Sequence, residues 1–113
     1  MNTRAIGNYY EDAACAYLTS MGVEILERNF SCRLGEIDII GIDNDTLVFF
    51  EIKYRKNNRY GDALEAVDIK KQKKIIKTAQ YYLTFKNYDM YKRFDVVATD
   101  GNETIWIKNA FCI

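Results

Sequence analysis

Two apolar runs in this chain carry charges where a buried strand has no use for them. Gly35-Glu36-Ile37-Asp38-Ile39-Ile40 and Val48-Phe49-Phe50-Glu51-Ile52-Lys53-Tyr54-Arg55 are otherwise strand-forming sequence, rich in Ile, Val and Phe. Side chains alternate faces along a strand. Glu51, Lys53 and Arg55 therefore project together while Val48, Phe50 and Ile52 project oppositely, and Glu36 and Asp38 share a face of their own strand. Taking a carboxylate or ammonium out of water is costly unless it is paired or binds a metal. The pattern predicts a sheet that brings an acid, a second acid and a lysine together on adjacent strands, with Asp43-Asn44-Asp45 as the turn of a hairpin.

The rest of the chain supplies the elements around that hairpin. Residues 4–21 read as a helix, with Ile6, Tyr10, Ala13, Ala14, Tyr17, Leu18 and Met21 on one stripe, Thr3 as N-cap and Gly22 as stop. Extended segments are predicted at 23–33, 35–42 and 46–55. A basic loop ending near Gly61 follows, then a helix over 69–86 capped by Asp68, with Gln72, Ile75, Ile76, Ala79 and Leu83 inward and a lysine-rich face outward. Strands at 91–98 and 103–108 meet through Asp100-Gly101-Asn102. The order is αβββαββ, an α/β fold. A helical connection between the third and fourth strands permits a parallel pair, so the central sheet is expected to be mixed, flanked by the two helices. With no Pro, six Gly and no repeat, residues 1–113 read as a single domain.

Composition narrows the chemistry. The chain has no histidine, which excludes Ser-His and Cys-His nucleophile systems and His-containing zinc sites. Cys15, Cys32 and Cys112 are odd in number and widely spaced, which fits buried reduced thiols. The longest apolar stretches fall far short of the roughly 20 residues that span a bilayer, and an apolar leader is absent, so a cytoplasmic protein without membrane contact is expected. Net charge is zero but unevenly distributed: residues 1–50 carry 3 basic and 8 acidic side chains, and residues 51–77 carry 9 and 4. A polyanion would be met around residues 53–77.

Two carboxylates converging from neighbouring strands, Asp38 and Glu51, suit Mg²⁺, which takes hard oxygen ligands and keeps several waters. Lys53, on the face of Glu51, is placed to contact a scissile phosphate or orient an attacking water. A lone Glu-x-Lys on a strand is commonplace and usually a solvated face; the upstream Asp38 raises the case for a site. Glu11 reads from periodicity as a surface carboxylate. Glu36 is open between a third ligand, a support for the ligands and a partner for Arg33. Lys70, Lys71, Lys73, Lys74 and Lys77 serve either solubility or, with Arg55, Lys56 and Arg59, phosphate contact. Tyr81, Tyr82, Tyr88 and Tyr91 are assigned no role, Tyr82 being expected to pack beside Leu83. Arg93 and Asp95 read as an internal ion pair, with support of the site as the alternative.

Taken together, Gly35-Glu36-Ile37-Asp38-Ile39-Ile40, Phe49-Phe50-Glu51-Ile52-Lys53-Tyr54-Arg55, Glu65-Ala66-Val67, Arg93-Phe94-Asp95-Val96-Val97 and Asn109-Ala110-Phe111 resemble the bacterial YraN-like family. Gly7 to Leu18, Gly22 and Ile25-Leu26-Glu27-Arg28-Asn29 are similar to its first helix and strand, so the likeness covers nearly the whole chain. The resemblance implies a restriction-endonuclease-like fold of the PD-(D/E)xK superfamily, near the archaeal Holliday-junction resolvases. It implies that Asp38 is the first acid, Glu51 the second and Lys53 the lysine, and that Glu11 is the helix glutamate completing the metal site. Ile37 stands where the superfamily name has Pro, a position that varies widely. Resolvases are strongly basic dimers, whereas this chain is neutral.

The expectation is a Mg²⁺- or Mn²⁺-dependent endodeoxyribonuclease for structured or branched DNA, with Asp38, Glu51 and Lys53 catalytic, Asp38, Glu51 and Glu11 on the metal, and a homodimer by resolvase analogy. A non-catalytic nucleic-acid-binding module and a protein-interaction scaffold are the competing readings.

Overall fold

The structure is a computed structural model that describes residues 3–54, 67–86, 88–100 and 102–112, with side chains described from residue 9 onward. The elements are α1 (Thr3–Ser20), β1 (Glu24–Cys32), β2 (Gly35–Asp43), β3 (Thr46–Tyr54), α2 (Ile69–Phe85), β4 (Tyr91–Thr99) and β5 (Thr104–Phe111). The expected order αβββαββ holds. The five strands lie in the order β1-β2-β3-β4-β5, with β3 and β4 parallel and every other pair antiparallel. This mixed sheet flanked by two helices is consistent with the restriction-endonuclease-like fold. Arg55, Lys56 and Arg59, with the basic loop that holds them, lie outside the described residues.

The two helices bury different faces of the sheet. Phe49 and Leu47 of β3, Ile37 and Ile40 of β2 and Phe94, Val96 and Ala98 of β4 pack with Ile75, Ala79 and Tyr82 of α2. Val48 and Phe50, Ile39 and Val97 pack instead with Ala14 and Leu18 of α1. Strand alternation thus divides the apolar residues between two layers, as an α/β sheet covered on both sides requires. Tyr82 is fully buried and meets Phe30 and Phe49 edge-on. Tyr81 and Tyr91 are exposed.

Of the helix ends foreseen from sequence, those at Gly22 and Asp68 are formed, and the Thr3 side chain lies outside those described. Gly22 has φ +94°; its N–H donates to Thr19 O, and Val23 N–H reaches back to Leu18 O at 3.0 Å. This left-handed cap places Val23 against Leu18 in the α1 layer. At α2, Asp68 accepts the Lys71 N–H at 2.8 Å, satisfying one of the free donors of the first turn.

Both helices are rotated from the expected stripes. In α1 the buried residues are Glu11, Ala14 and Leu18, while Ala13 and Met21 are exposed. In α2 they are Ile75, Thr78, Ala79 and Tyr82, while Gln72, Ile76 and Leu83 are only partly covered. Apolar periodicity ranks residues by hydrophobicity alone, and here Thr78 and Glu11 take buried positions that hydrophobicity assigns to Ile76 and Ala13.

The motifs of the last two strands form one internal network. Asp95, with no exposed surface, accepts Arg93 through both carboxylate oxygens, the Trp106 Nε1–H at 2.8 Å and the Asn109 N–H at 2.8 Å. Arg93 also donates to Asp43 at 2.8 Å. Asn109 has φ +54°, at a register shift where Phe94 pairs with Phe111 but Val96 pairs with Ile107. Asp95 therefore clamps a bulge in β5, and the internal reading of Arg93 and Asp95 holds. The three cysteines are free as expected, but Cys15 and Cys32 are only half-buried and Cys112 is exposed; Cys15 packs at the border of the α1 layer. No helix among the described residues is long and apolar enough to cross a membrane.

Candidate active site

The sheet forks at Asp38. The β2–β3 ladder runs from Asp43 opposite Thr46 to Ile39 opposite Phe50 and stops there. Beyond it, β2 pairs only with β1, through Ile37 opposite Phe30, while β3 continues against β4 to Tyr54. The next ladder donor, the Ile52 N–H, goes to Asp38 Oδ2 at 2.8 Å. A side chain replaces the backbone acceptor, and the strands part around it. Strict alternation breaks at the same place: Ile37 and Ile40 enter the α2 layer and Ile39 the α1 layer.

The fork opens a cleft of about 180 Å³ beneath the first turns of α2, lined by Gly35, Glu36, Asp38, Glu51, Lys71, Lys74 and Ile75. Helix and sheet approach closely here because residue 35 has no side chain: a Cβ there would stand 2.8 Å from Thr78 Oγ1. Glu51 is 5% exposed and reaches the cleft from β3, beside Val96 of β4. Its Oε1 accepts from Lys71 Nζ at 2.7 Å and from Lys53 Nζ at 3.3 Å.

The electrostatics follow from crowding like charges in a half-buried place. Burial, then the Glu51 charge, pushes the Asp38 carboxyl up to about 7; the Ile52 N–H opposes this, and Glu11 and Glu36 add to it. Burial and the adjoining Lys71 lower the Lys53 pKa, with Glu51 holding against them. Burial also works to lower Lys71, but its bond to Glu51 and the neighbouring carboxylates outweigh burial and leave it raised.

Asp38, Glu51 and Lys53 are thus brought together as expected. Glu11 is buried, contrary to its reading as a surface carboxylate, and lies near enough to act on Asp38. Its Oε1 is held by Arg28 Nη2 at 3.3 Å, a guanidinium shared with Asp12 at 2.6 Å. Glu36 is exposed at the cleft edge and forms no ion pair with Arg33. Lys70, Lys73 and Lys77 point to solvent, and Lys74 borders the cleft. Lys71 departs from the expected outward face. It continues the buried stripe 75, 78, 82 one turn toward the helix start, so the stripe ends in an ammonium directed at Glu51. The signal was present in the sequence as the third residue after the Asp68 cap, but only the rotation of α2 gave it meaning.

A hard divalent cation fits the Asp38–Glu51 pair. Burial and the Glu51 charge both disfavour the Asp38 carboxylate, a positive ion beside it offsets both, and two carboxylates with waters suffice for Mg²⁺. A fuller cage is not assembled: among the described residues no three Asp, Glu or Cys side chains converge for a metal.

Comparison with known proteins places this geometry in a family. The uncharacterised protein family UPF0102 matches residues 10–99. The chain belongs to the UPF0102 family. It is 50% identical over 110 residues to a UPF0102 protein of Fusobacterium nucleatum, covering 96% of this chain and 92% of the relative. To UPF0102 proteins of Vibrio vulnificus and Francisella tularensis it is 47% and 44% identical, covering 95% and 98% of this chain and 92% and 97% of theirs. Within this UPF0102 chain the matched span takes in Glu11, Asp38, Glu51, Lys53 and Lys71, so the whole cleft falls inside it. The family description names no reaction, and the chemistry rests on the site.

Proposed function

We propose that this UPF0102 chain is a Mg²⁺- or Mn²⁺-dependent endodeoxyribonuclease of the PD-(D/E)xK type, akin to Holliday-junction resolvases. In this reading it works as one cytoplasmic domain, assembled as a homodimer, on structured or branched DNA. The observation that carries the reading is the fork: Asp38, held by the Ile52 N–H at 2.8 Å, and Glu51 share a cleft with Lys71, and Lys53 reaches Glu51 at 3.3 Å. Asp38 and Glu51 would hold the cation, which when bound would supply charge neutralisation and a water that loses its proton readily enough to serve as the nucleophile at phosphorus. Lys53 sits one alternation beyond Glu51 and points to the same side, where its ammonium meets a phosphate oxygen. Its lowered pKa makes its proton easier to pass to a departing oxygen. Lys74, at the cleft edge, and the exposed Lys70 and Lys73 of the same helix, with Arg55, Lys56 and Arg59, would steer the DNA backbone.

The test uses wild type and Lys53→Ala with Mn²⁺, Mg²⁺ or EDTA on labelled linear duplex, single-stranded, flap and four-way-junction DNA. Cleavage that needs both metal and Lys53 is expected. Absence of cleavage together with salt-sensitive gel shifts would replace this reading with the non-catalytic binding module. Two observations favour that second reading: Glu51 is already paired with two lysines, and among the described residues no third ligand converges.

A further inference from the structure

The Lys71–Glu51 contact is the shortest bond to Glu51 among the described ion pairs, and it falls on the oxygen that also takes Lys53. A cation approaching Asp38 and Glu51 meets an ammonium already seated on Oε1. The contact is built rather than casual. The Asp68 side chain fixes the Lys71 backbone at 2.8 Å, the buried stripe of α2 directs the side chain inward, and Gly35 allows the helix to sit close enough. A lysine in the first turn of a helix also lies at the wrong end of the helix dipole, so its placement is sustained by the carboxylate it meets. Lys53 comes from the same strand as Glu51 and stays beside it whatever α2 does; Lys71 comes from another element and is 42% exposed, so it can leave.

We propose that Lys71 and a divalent cation compete for Glu51, so that Lys71 neutralises the acid in the metal-free protein and is released by metal to hold a phosphate of the substrate. The proposal rests on the nuclease reading and adds regulation to it: the site meets DNA with its full set of positive charges only after the metal has arrived. One charge is exchanged for another at Oε1, and the displaced ammonium finds its new counter-ion on the phosphodiester backbone that lies across the cleft.

Mn²⁺ binding, read by electron paramagnetic resonance without DNA, tests the competition in wild type, Lys71→Met, Lys74→Met and Glu51→Gln, each checked for folding by urea denaturation. Lys71→Met is expected to bind Mn²⁺ roughly twofold to fivefold more tightly than wild type, the scale of a partly exposed ion pair removed. Lys74→Met, which breaks no bond to Glu51, should change binding far less, and Glu51→Gln should abolish it. If Lys71→Met binds Mn²⁺ equally or more weakly while Glu51→Gln abolishes binding, the competition is overturned and the metal site stands. If none of the proteins binds Mn²⁺, the metal-dependent reading falls and the competition with it. A second arm follows four-way-junction affinity against salt. With Ca²⁺, Lys71→Met should lower the salt slope by about one phosphate contact, and without divalent metal it should leave the slope unchanged. An equal loss in both conditions would overturn the release.

Discussion

Asp38 accepts the backbone N–H of Ile52 through Oδ2 at 2.8 Å, and this one bond ends the β2–β3 ladder where the cleft begins. The acid thereby does structural work at a cost. Burial and the Glu51 charge push its carboxyl up to about 7, whereas in an unfolded chain it ionises near pH 4. The folded state binds the proton more tightly, so this group's contribution to stability is complete below about pH 4 and is lost as the pH rises to about 7. An asparagine cannot ionise, and its side-chain oxygen still accepts the Ile52 N–H. Asp38→Asn should therefore be more stable than wild type by up to about 4 kcal/mol at pH 8, with the gain vanishing below pH 4. Urea denaturation across that range checks this; a gain independent of pH would remove ionisation of the buried carboxyl as its cause.

Removing the charge of Glu51 has the opposite sign. Lys53 and Lys71 would be left side by side, partly buried, without the negative charge they share. Glu51→Gln should cost about 2 kcal/mol at pH 7. Adding Lys71→Met to it should recover part of the loss, because one ammonium is then gone. A double-mutant cycle by chemical denaturation measures that coupling.

Gly35 is where helix and sheet come closest. A methyl group there meets Thr78 Oγ1 at 2.8 Å, and that hydroxyl is itself tied to Lys74 O at 2.8 Å. Gly35→Ala should destabilise by about 1–3 kcal/mol, from strain at φ +157° and from α2 being pushed off β2. Thr78→Ala in the same chain should restore part of it. Thermal melts of the two single variants and the double variant decide, and strict additivity would contradict the steric account.

Asp95 carries no role in the cleft but holds Arg93, Trp106 and the Asn109 bulge. Asp95→Ala leaves a partly buried indole N–H and a backbone N–H without this acceptor and loosens a guanidinium. A loss of about 3–5 kcal/mol is expected. Mn²⁺ affinity of the protein that remains folded should match wild type, since Asp95 projects into the α1 layer and Glu51 does not.

The alternation of apolar and charged residues in 35–40 and 48–55 was enough to place Asp38, Glu51 and Lys53 on neighbouring strands, because pleating leaves a side chain only two faces to choose from. The caps at Gly22 and Asp68 were legible for the same local reason: a left-handed residue and a side-chain acceptor act within a few residues of themselves. Arg93 and Asp95, two apart on one strand, were readable as a pair; that Trp106 and Asn109 complete their network was not, since β5 meets β4 only through the hairpin's register.

The helices mark the boundary. A helix can turn about its axis to trade one stripe for another at little local cost, so hydrophobic periodicity left open whether Glu11 and Lys71 faced water or sheet. What the sequence by itself determined is the order of elements, the hairpin and its three charged side chains, all set by local geometry. Tertiary structure alone decided that the strands part at Asp38, that Glu11 is buried with Arg28, and that Lys71 closes on Glu51. Each of those depends on packing between elements distant in the chain, where close contact, not spacing along the sequence, selects the neighbour.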